Sequence, residues 1–130
     1  GRVLRPRIAR GSPGAGRWHL PGGGTEFGEQ PAAALLRELA EETDQVGTVS
    51  ELLTVSHLHN PRALGPEGHP IDWHSVRALY RVRVEAPTVA RVTEAAGGST
   101  AAAAWFTRAQ AARLRLTGIA ASALSELRHK

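Results

Sequence analysis

The sequence contains no cysteine, and this absence excludes several kinds of site. Without thiols the chain cannot form disulfides, bind zinc through thiolates or use a cysteine nucleophile. Long apolar runs are also missing, because none approaches the ~20 residues that a membrane span needs. The N-terminal stretch GRVLRPRIARG lacks the apolar segment of a signal peptide. We therefore expect a soluble, cytoplasmic protein with no membrane partner.

Lysine is almost absent, since every basic residue except Lys130 is arginine. The formal charge of +4 favours anionic partners such as phosphates. The arginines are scattered along the chain and form no stripe with aromatic residues between them, so nucleic acid is not the expected partner. Apolar residues make up 42% and charged residues 22% of the 130 positions, which is typical of a globular chain. The prediction is a single domain over 1–130.

Helix signals occur at three places. Pro31 suits a first helical position after Gln30 as the cap, and the apolar period continues to about Thr43. TRAQ has the spacing of a capping box, with Thr107 at the cap of a short helix. A break near Gly118 then precedes a last amphipathic helix. Together with the strands between them, these helices predict an α/β fold.

Strand signals alternate with loops rich in proline and glycine. Strands are predicted at GRVLRPRIAR, RWHLPGGG, ELLTVSHLH, WHSVRALYRVRV, Val89 to Val92 and the segment ending at Trp105-Phe106. The stretch from Asn60 to Asp72 is predicted as a long loop, and loops of that length are usually functional. The alternation in WHSVRALYRVRV predicts one buried apolar face, consisting of Val76, Ala78, Tyr80, Val82 and Val84.

The first long helix carries three glutamates on one side. Successive helical residues are ~100° apart, so Glu38, Glu41 and Glu42 fall within about 100° of arc. Two such carboxylates ~5–6 Å apart repel by about 3 kcal/mol at an effective dielectric near 20. A divalent cation would remove that cost, and oxygen-only ligands suit Mg²⁺ or Mn²⁺. On the helix alone, a solvated acidic face explains the pattern equally well.

The glycine-rich segment upstream favours the metal reading. Read with LPGGGTEFGE, the helix resembles the Nudix box of the Nudix (MutT-like) hydrolases, G-x5-E-x7-R-E-U-x-E-E-x-G-U with U aliphatic. The matching positions are Gly23, Glu29, Arg37, Glu38, Leu39, Glu41 and Glu42. Asp44 stands where the family has glycine, and Gln45 stands where it has an aliphatic residue. The resemblance extends from the lead-in GRWHLPGGG to the closing AAWFTRAQAARL.

The resemblance implies the Nudix fold, an α/β/α sandwich with a mixed β-sheet. Family members usually have a further strand of about eight residues before the segment that matches GRVL. The sheet is therefore expected to lack this strand, with three explanations: the sequence is a fragment, residues are missing near Arg5-Pro6, or a partner chain fills the gap, as in a homodimer. The resemblance also implies a left-handed conformation at Asp44, which aspartate tolerates better than most residues.

The resemblance also implies an activity: Mg²⁺-dependent cleavage of the pyrophosphate bond of a nucleoside diphosphate linked to a group X. Carried over by position, Glu38, Glu41 and Glu42 are the implied metal ligands, with the carbonyl of Gly23 as a backbone ligand. Arg37 is implied to orient a catalytic glutamate. The alternative is a module that senses a nucleotide without cleaving it. Such modules usually lose box glutamates, and all of them remain here.

Other residues have less specific expected roles. Glu29 is expected to steady the glycine loop against the helix, although a plain first-turn acid would occur at the same place. Many family members use a late-loop glutamate as general base or extra ligand, and Glu94 is the candidate, with Glu85 and Glu67 as rivals. For substrate binding, Trp73 could stack on a base. Two strand arginines, Arg77 and Arg81, could pair with phosphates.

Overall fold

A computed structural model describes residues 1–65, 67–94 and 98–128. Within these ranges, four strands and three helices follow one another, as the α/β prediction expected. Their bounds are β1 (Arg2–Ile8), α1 (Pro31–Thr43), β2 (Thr48–Leu64), β3 (Pro70–Arg83), β4 (Thr100–Thr107), α2 (Arg108–Ala111) and α3 (Gly118–Arg128). None of the helices in these ranges is both long and apolar enough to cross a membrane.

The first sheet pairs the first strand with the last. β1 and β4 are antiparallel, with Arg2 opposite Thr107 and Ile8 opposite Thr100. Trp18 adds two isolated bridges, one antiparallel to Arg7 and one parallel to Leu116, so the sheet has mixed directions. The strand predicted at RWHLPGGG is therefore wrong in extent and is reduced to this bridge. Pro21, which has no N–H to donate, and the glycines after it end the pairing.

The second sheet is the β2–β3 hairpin, and it corrects the loop predicted from Asn60 to Asp72. β2 continues to Leu64 and β3 begins at Pro70, with Ala63 opposite Ile71. A register shift between Asn60 and Ala63 accommodates a proline that cannot donate to the ladder. Prolines were interpreted as loop signals, but strand irregularities tolerate them. That the sheet lacks a family strand before β1 stays a prediction.

The prediction of a buried face on β3 is only partly correct. Val76 is 71% exposed and Ala78 is exposed, whereas Arg77 between them is half-buried. Tyr80 and Val82 are half-buried, as expected. Alternation assigns side chains to two faces, but only the packing of another element decides which face is covered. The first half of β3 pairs with β2 alone among the named strands.

The core lies where the first sheet meets the helices. Val3, Ala111 and Leu124 form a buried cluster, and the ring of Trp18 meets that of Phe106 edge-on at 5.0 Å between centroids. On helix α1, the buried apolar residues are Ala34 and Leu39. The leucines beside them, Leu35 and Leu36, are half-buried. The apolar side of α1 therefore has the position that the sequence predicts.

The helix ends follow the sequence signals. Pro31 is the first residue of α1 after Gln30, and Asp44 closes the helix at φ 59° and ψ 35°, in the left-handed region. Thr107 and Gln110 form the reciprocal hydrogen bonds of a capping box at the start of α2. Each of these local features was predicted because it depends on a few adjacent residues.

The strand predicted from Val89 to Val92 is not formed. The segment runs instead along the C-terminal end of α1. There the N–H of Arg91 donates to the carbonyl of Thr43 at 3.0 Å, and the N–H groups of Thr93 and Glu94 donate to the carbonyl of Glu41 at 2.8 and 2.9 Å. The last carbonyls of a helix have no partner within the helix, so they accept these bonds in place of a neighbouring strand. The segment thereby brings Glu94 to the end of α1.

Candidate active site

The glycine loop packs directly on the glutamates of α1. The N–H of Gly22 donates to Oε1 of Glu42 at 2.8 Å. A Cβ at Gly23 would lie 2.8 Å from Cδ of Glu38, closer than real Cβ atoms come. Only glycine therefore fits at position 23 while the Glu38 carboxylate keeps this place. The loop and the helix form one surface, as the box pattern predicts.

Glu42 is the most deeply placed acid of the site, with a residue exposure of 6%. Burial is the largest cause that raises the pKa of Glu42 to about 7. The negative charges of Glu38 and Glu94 contribute to the rise, and hydrogen bonds from Gly22 and Thr100 oppose it. Within the part of the chain that the structure describes, the Glu42 carboxylate forms no ion pair with a cationic side chain. It favours either a proton or a metal cation.

Arg37 organises the more exposed acids. Its guanidinium donates to Glu29 through Nε at 2.9 Å and through Nη2 at 3.0 Å. Nη1 donates to Oε1 of Glu38 at 3.0 Å and lies 3.5 Å from Oε2 of Glu41. Nη2 also reaches the carbonyl of Gly24 at 3.3 Å. One arginine thus contacts the loop and two of the three helix glutamates.

Glu29 lies where its expected structural role requires. Its Oε1 accepts the N–H of Glu26 at 2.9 Å in addition to the bonds from Arg37. The hydrogen bond from Arg37 is the largest cause that lowers the pKa of Glu29 to about 2, and the bond from Glu26 adds to it. Glu29 therefore stays ionised and ties the loop to the helix through Arg37.

Of the three candidates for a late-loop glutamate, Glu94 is the one placed at the site. Its Oε1 accepts the N–H of Thr100 at 2.7 Å, and its charge acts on Glu42. Glu85 instead pairs with Arg83 at 3.7 Å, and both side chains are largely exposed. Glu67 lies in the turn of the β2–β3 hairpin.

The predicted substrate-binding residues lie on β3. Trp73 is 51% exposed and stands opposite Asn60 in the hairpin. Arg81 donates to Glu51 at 2.8 Å. Arg77 lies close enough to His19 that its charge helps to lower the pKa of His19, after burial. No contact described for these three reaches the box glutamates, and their roles stay predictions.

Two cavities flank α1. A hollow of about 310 Å³ is lined by His19, Gly22, Glu42, Ser99 and Thr100, with neighbours from β1 and the following loop. A larger groove of about 1180 Å³ lies against the apolar residues of α1, and the lining described for it includes none of the box glutamates. The smaller hollow is the one in contact with the acidic site.

The donor set fits a hard divalent cation by its chemistry. It offers carboxylate oxygens around the buried Glu42 and a glycine backbone pressed against Glu38. Within the described ranges, no three acidic or histidine side chains already converge on one point, because Nη1 of Arg37 holds Glu38 and is close to Glu41. These contacts use one oxygen of each carboxylate, Oε1 of Glu38 and Oε2 of Glu41.

Sequence reasoning missed three contributors: the N–H of Gly22 and the two residues that support Glu94, namely Gly98 and Thr100. A Cβ at Gly98 would lie 2.5 Å from Oε1 of Glu94. The glycine pair in AAGGST was the available signal, since glycine often marks a close approach of the backbone. Its partner could not be identified without the fold.

Comparison with known proteins identifies the family of the chain. A family model described as the NUDIX domain matches residues 1–127. The chain belongs to the NUDIX family. The Nudix fold and the enzyme class predicted from the box, a Nudix hydrolase, are thereby confirmed. Nudix hydrolases generally use divalent metals. A search of curated proteins finds no match to the chain.

Solved structures show the same fold. The NUDIX domain of Shewanella oneidensis NrtR, complexed with ADP ribose, has a TM-score of 0.73 at 23% identity, over 98% of this chain and 76% of that one. A MutT NUDIX hydrolase from Burkholderia pseudomallei has a TM-score of 0.70 at 28% identity, over 98% and 88%. A C. elegans Ap4A hydrolase has a TM-score of 0.64 at 17% identity, over 98% and 84%.

Proposed function

We propose that this Nudix protein is a Mg²⁺-dependent hydrolase that cleaves the pyrophosphate bond of a nucleoside diphosphate linked to a group X. The observation that carries the proposal is the buried Glu42, which faces the charges of Glu38 and Glu94 with no compensating cation among the described residues. Similar folds have been solved with ADP ribose and as an Ap4A hydrolase, so both kinds of compound belong in the substrate panel.

The ion, Mg²⁺ with Mn²⁺ as a substitute, would be held by Glu38, Glu41 and Glu42 with the carbonyl of Gly23. When bound, it supplies charge neutralisation for the pyrophosphate and acidifies the attacking water. The chain does the rest. Arg37 sets the orientation of Glu38 and Glu41 through Nη1. The hollow beside Glu42 receives the diphosphate group.

Glu94 completes the chemistry in this proposal. Its carboxylate is placed by the N–H of Thr100, close enough to Glu42 for their charges to interact. In the reaction, Glu94 takes the proton of the attacking water, since general bases act from within hydrogen-bond reach of the proton they remove. Its loss should therefore lower kcat more than it changes KM.

The test is hydrolysis of a panel that contains ADP-ribose, NADH, dinucleoside polyphosphates and oxidised deoxynucleoside triphosphates, with Mg²⁺ or Mn²⁺. We expect turnover of at least one class and its loss in Glu42→Gln, with an unchanged circular dichroism spectrum. Asp72→Asn is the matched control, because Asp72 pairs with His59 on the hairpin and no contact with the α1 glutamates is described for it. Turnover that survives Glu42→Gln contradicts the proposal.

The alternative function, nucleotide sensing without cleavage, has its own outcome in the same experiment. A structure with this fold has been solved with ADP ribose bound. Tight binding of a panel member with no phosphate product under either metal would establish the sensor and reject the hydrolase. Calorimetry with the same compounds separates the two results.

A further inference from the structure

Thr100, the first residue of β4, contacts both of the acids that the proposed reaction assigns to ion and water. Its N–H donates to Oε1 of Glu94 at 2.7 Å. Its hydroxyl donates a longer bond, 3.4 Å, to Oε2 of Glu42. The two donors come from one residue whose backbone is fixed in the β1–β4 pairing opposite Ile8. Their relative position is therefore set by the sheet.

Gly98 makes the close approach of Glu94 possible. A Cβ at this position would lie 2.5 Å from Oε1 and 2.7 Å from Cδ of Glu94. Any side chain at 98 must therefore displace the carboxylate or the backbone around it. The main chain of Glu94 is held as well, because its N–H donates to the carbonyl of Glu41 on α1 at 2.9 Å. Both ends of the glutamate are thus attached, one to the helix and one to the sheet.

We propose that Thr100 and Gly98 are positioning residues that hold the carboxylates of Glu94 and Glu42 at a fixed separation, so that both act on one ion and one water. The charge of Glu94 acts on Glu42, and two like charges repel and would move apart if only solvent surrounded them. The N–H and the hydroxyl of Thr100 oppose that separation by donating to one acid each. This inference rests on the proposed function, whose reaction uses both acids.

The variants test the hydroxyl of Thr100 and the space at Gly98 separately. Thr100→Val removes the hydroxyl and keeps the N–H, whereas Thr100→Ser keeps both the hydroxyl and the N–H. Gly98→Ala fills the space of the Glu94 carboxylate. Thr93→Val is the matched control, because the Thr93 hydroxyl donates to the carbonyls of Ala40 and Glu41 at 3.0 and 3.2 Å and to no carboxylate. Thermal unfolding establishes that each variant is folded.

Two readouts decide the inference. In steady-state kinetics, we expect Thr100→Val and Gly98→Ala to lower kcat by about 10- to 100-fold at nearly unchanged KM, the loss typical of residues that orient metal-site groups. Thr100→Ser should recover most of the activity and Thr93→Val should keep it. In Mn²⁺ titrations without substrate, the first two variants should bind the ion more weakly than the wild type.

The outcomes distinguish this inference from the proposed function. If the wild type hydrolyses the panel and binds Mn²⁺, but Thr100→Val and Gly98→Ala behave like Thr93→Val in both readouts, the positioning role is rejected and the hydrolase stands. A wild type that hydrolyses nothing rejects the hydrolase. The Mn²⁺ titrations still decide whether Thr100 and Gly98 organise an ion site. Failure of Thr100→Ser to restore function would also count against a role for the hydroxyl.

Discussion

The guanidinium of Arg37 and the carboxylate of Glu29 form two parallel hydrogen bonds, at 2.9 and 3.0 Å, across eight positions of sequence. Paired donors of this kind fix direction as well as distance. The pair joins the glycine loop to α1 and directs the remaining nitrogen of Arg37 toward Glu38. The crowding of acids on the helix is tolerated because one arginine already neutralises part of it.

The Glu29 pair predicts acid sensitivity. The pKa of Glu29 is held at about 2 in the folded protein, below its ordinary value of 4.5. The folded state therefore binds fewer protons than the unfolded chain between these values, and its stabilising contribution is present above pH 4.5 and lost as the pH falls toward 2. We expect Glu29→Gln to lower Tm at pH 7 and to have little effect near pH 2. Calorimetry across this range measures both.

A control on the same loop makes the acid test specific. Glu26 contributes its backbone N–H to Glu29, but no ion pair is described for its side chain. Glu26→Gln should leave the pH dependence of Tm close to that of the wild type. Equal acid sensitivity in Glu29→Gln and the wild type would show that the pair contributes nothing to stability.

The raised pKa of Glu42 predicts a pH dependence of stability opposite in sign to that of Glu29. This pKa is raised to about 7 from 4.5, mainly by burial, so the folded protein retains a proton that the unfolded chain has released. Stability therefore falls as the pH rises from 4.5 through 7, by at most on the order of 3 kcal/mol. Glu42→Gln should remove this fall. The comparison is the Tm of both proteins in EDTA at pH 5 and pH 8, and a parallel decline in both would contradict it.

The contacts of Gln45 predict that the aliphatic residue of the family pattern would destabilise the protein at this position. Gln45 is almost fully buried, with 1% exposure. Its Nε2 donates to the carbonyl of Thr43 at 3.1 Å and to the hydroxyl of Thr88 at 3.0 Å, while its Oε1 accepts the N–H of Thr88 at 3.0 Å. Gln45→Leu would remove these hydrogen bonds, at a cost of about 1–3 kcal/mol. Urea unfolding measures the change, and a more stable Gln45→Leu would contradict the account.

Replacing Asp44 by glycine is predicted to give a small gain in stability, and the size of the gain depends on the ion pair between Asp44 and Arg91. A left-handed conformation costs a residue other than glycine roughly 1 kcal/mol, and the charge of Asp44 stands at the unfavourable end of the helix dipole. Its Oδ2, however, pairs with Nη2 of Arg91 at 3.1 Å, an exposed contact. Asp44→Gly should raise Tm, and raise it more when Arg91 is already alanine. A fall in Tm in both backgrounds would reject this explanation.

The parts of the fold predicted from sequence depend on neighbouring residues. The bounds of α1 and the capping box at Thr107 follow from a few adjacent side chains, and the left-handed Asp44 was implied by the family glycine at its position in the box. The Val89 to Val92 strand was wrong because the N–H of Arg91 bonds to the carbonyl of Thr43 at the end of α1, a partner more than forty residues away in sequence. The exposure of Val76 depended likewise on what packs against β3, which its own alternation cannot show.

The residues of the site likewise divide into those that the sequence predicted and those that it could not. The box spacing was sufficient to bring Gly23, Glu29 and Arg37 together with the helix glutamates, since all lie within one loop and one helix. Glu94 was predicted from its position before the closing strand and is placed beside Glu42. The support from Gly98 and Thr100 was not predicted, because it depends on where β4 begins relative to the end of α1.

The most direct test of the central claim, that the α1 glutamates hold a divalent ion, is a Mn²⁺ titration followed by electron paramagnetic resonance. The account predicts saturable Mn²⁺ binding by the wild type, displaced by Mg²⁺ and strongly weakened in Glu42→Gln, while Asp72→Asn binds like the wild type. Equal binding by Glu42→Gln and the wild type, or no Mn²⁺ binding by the folded wild type, would contradict it.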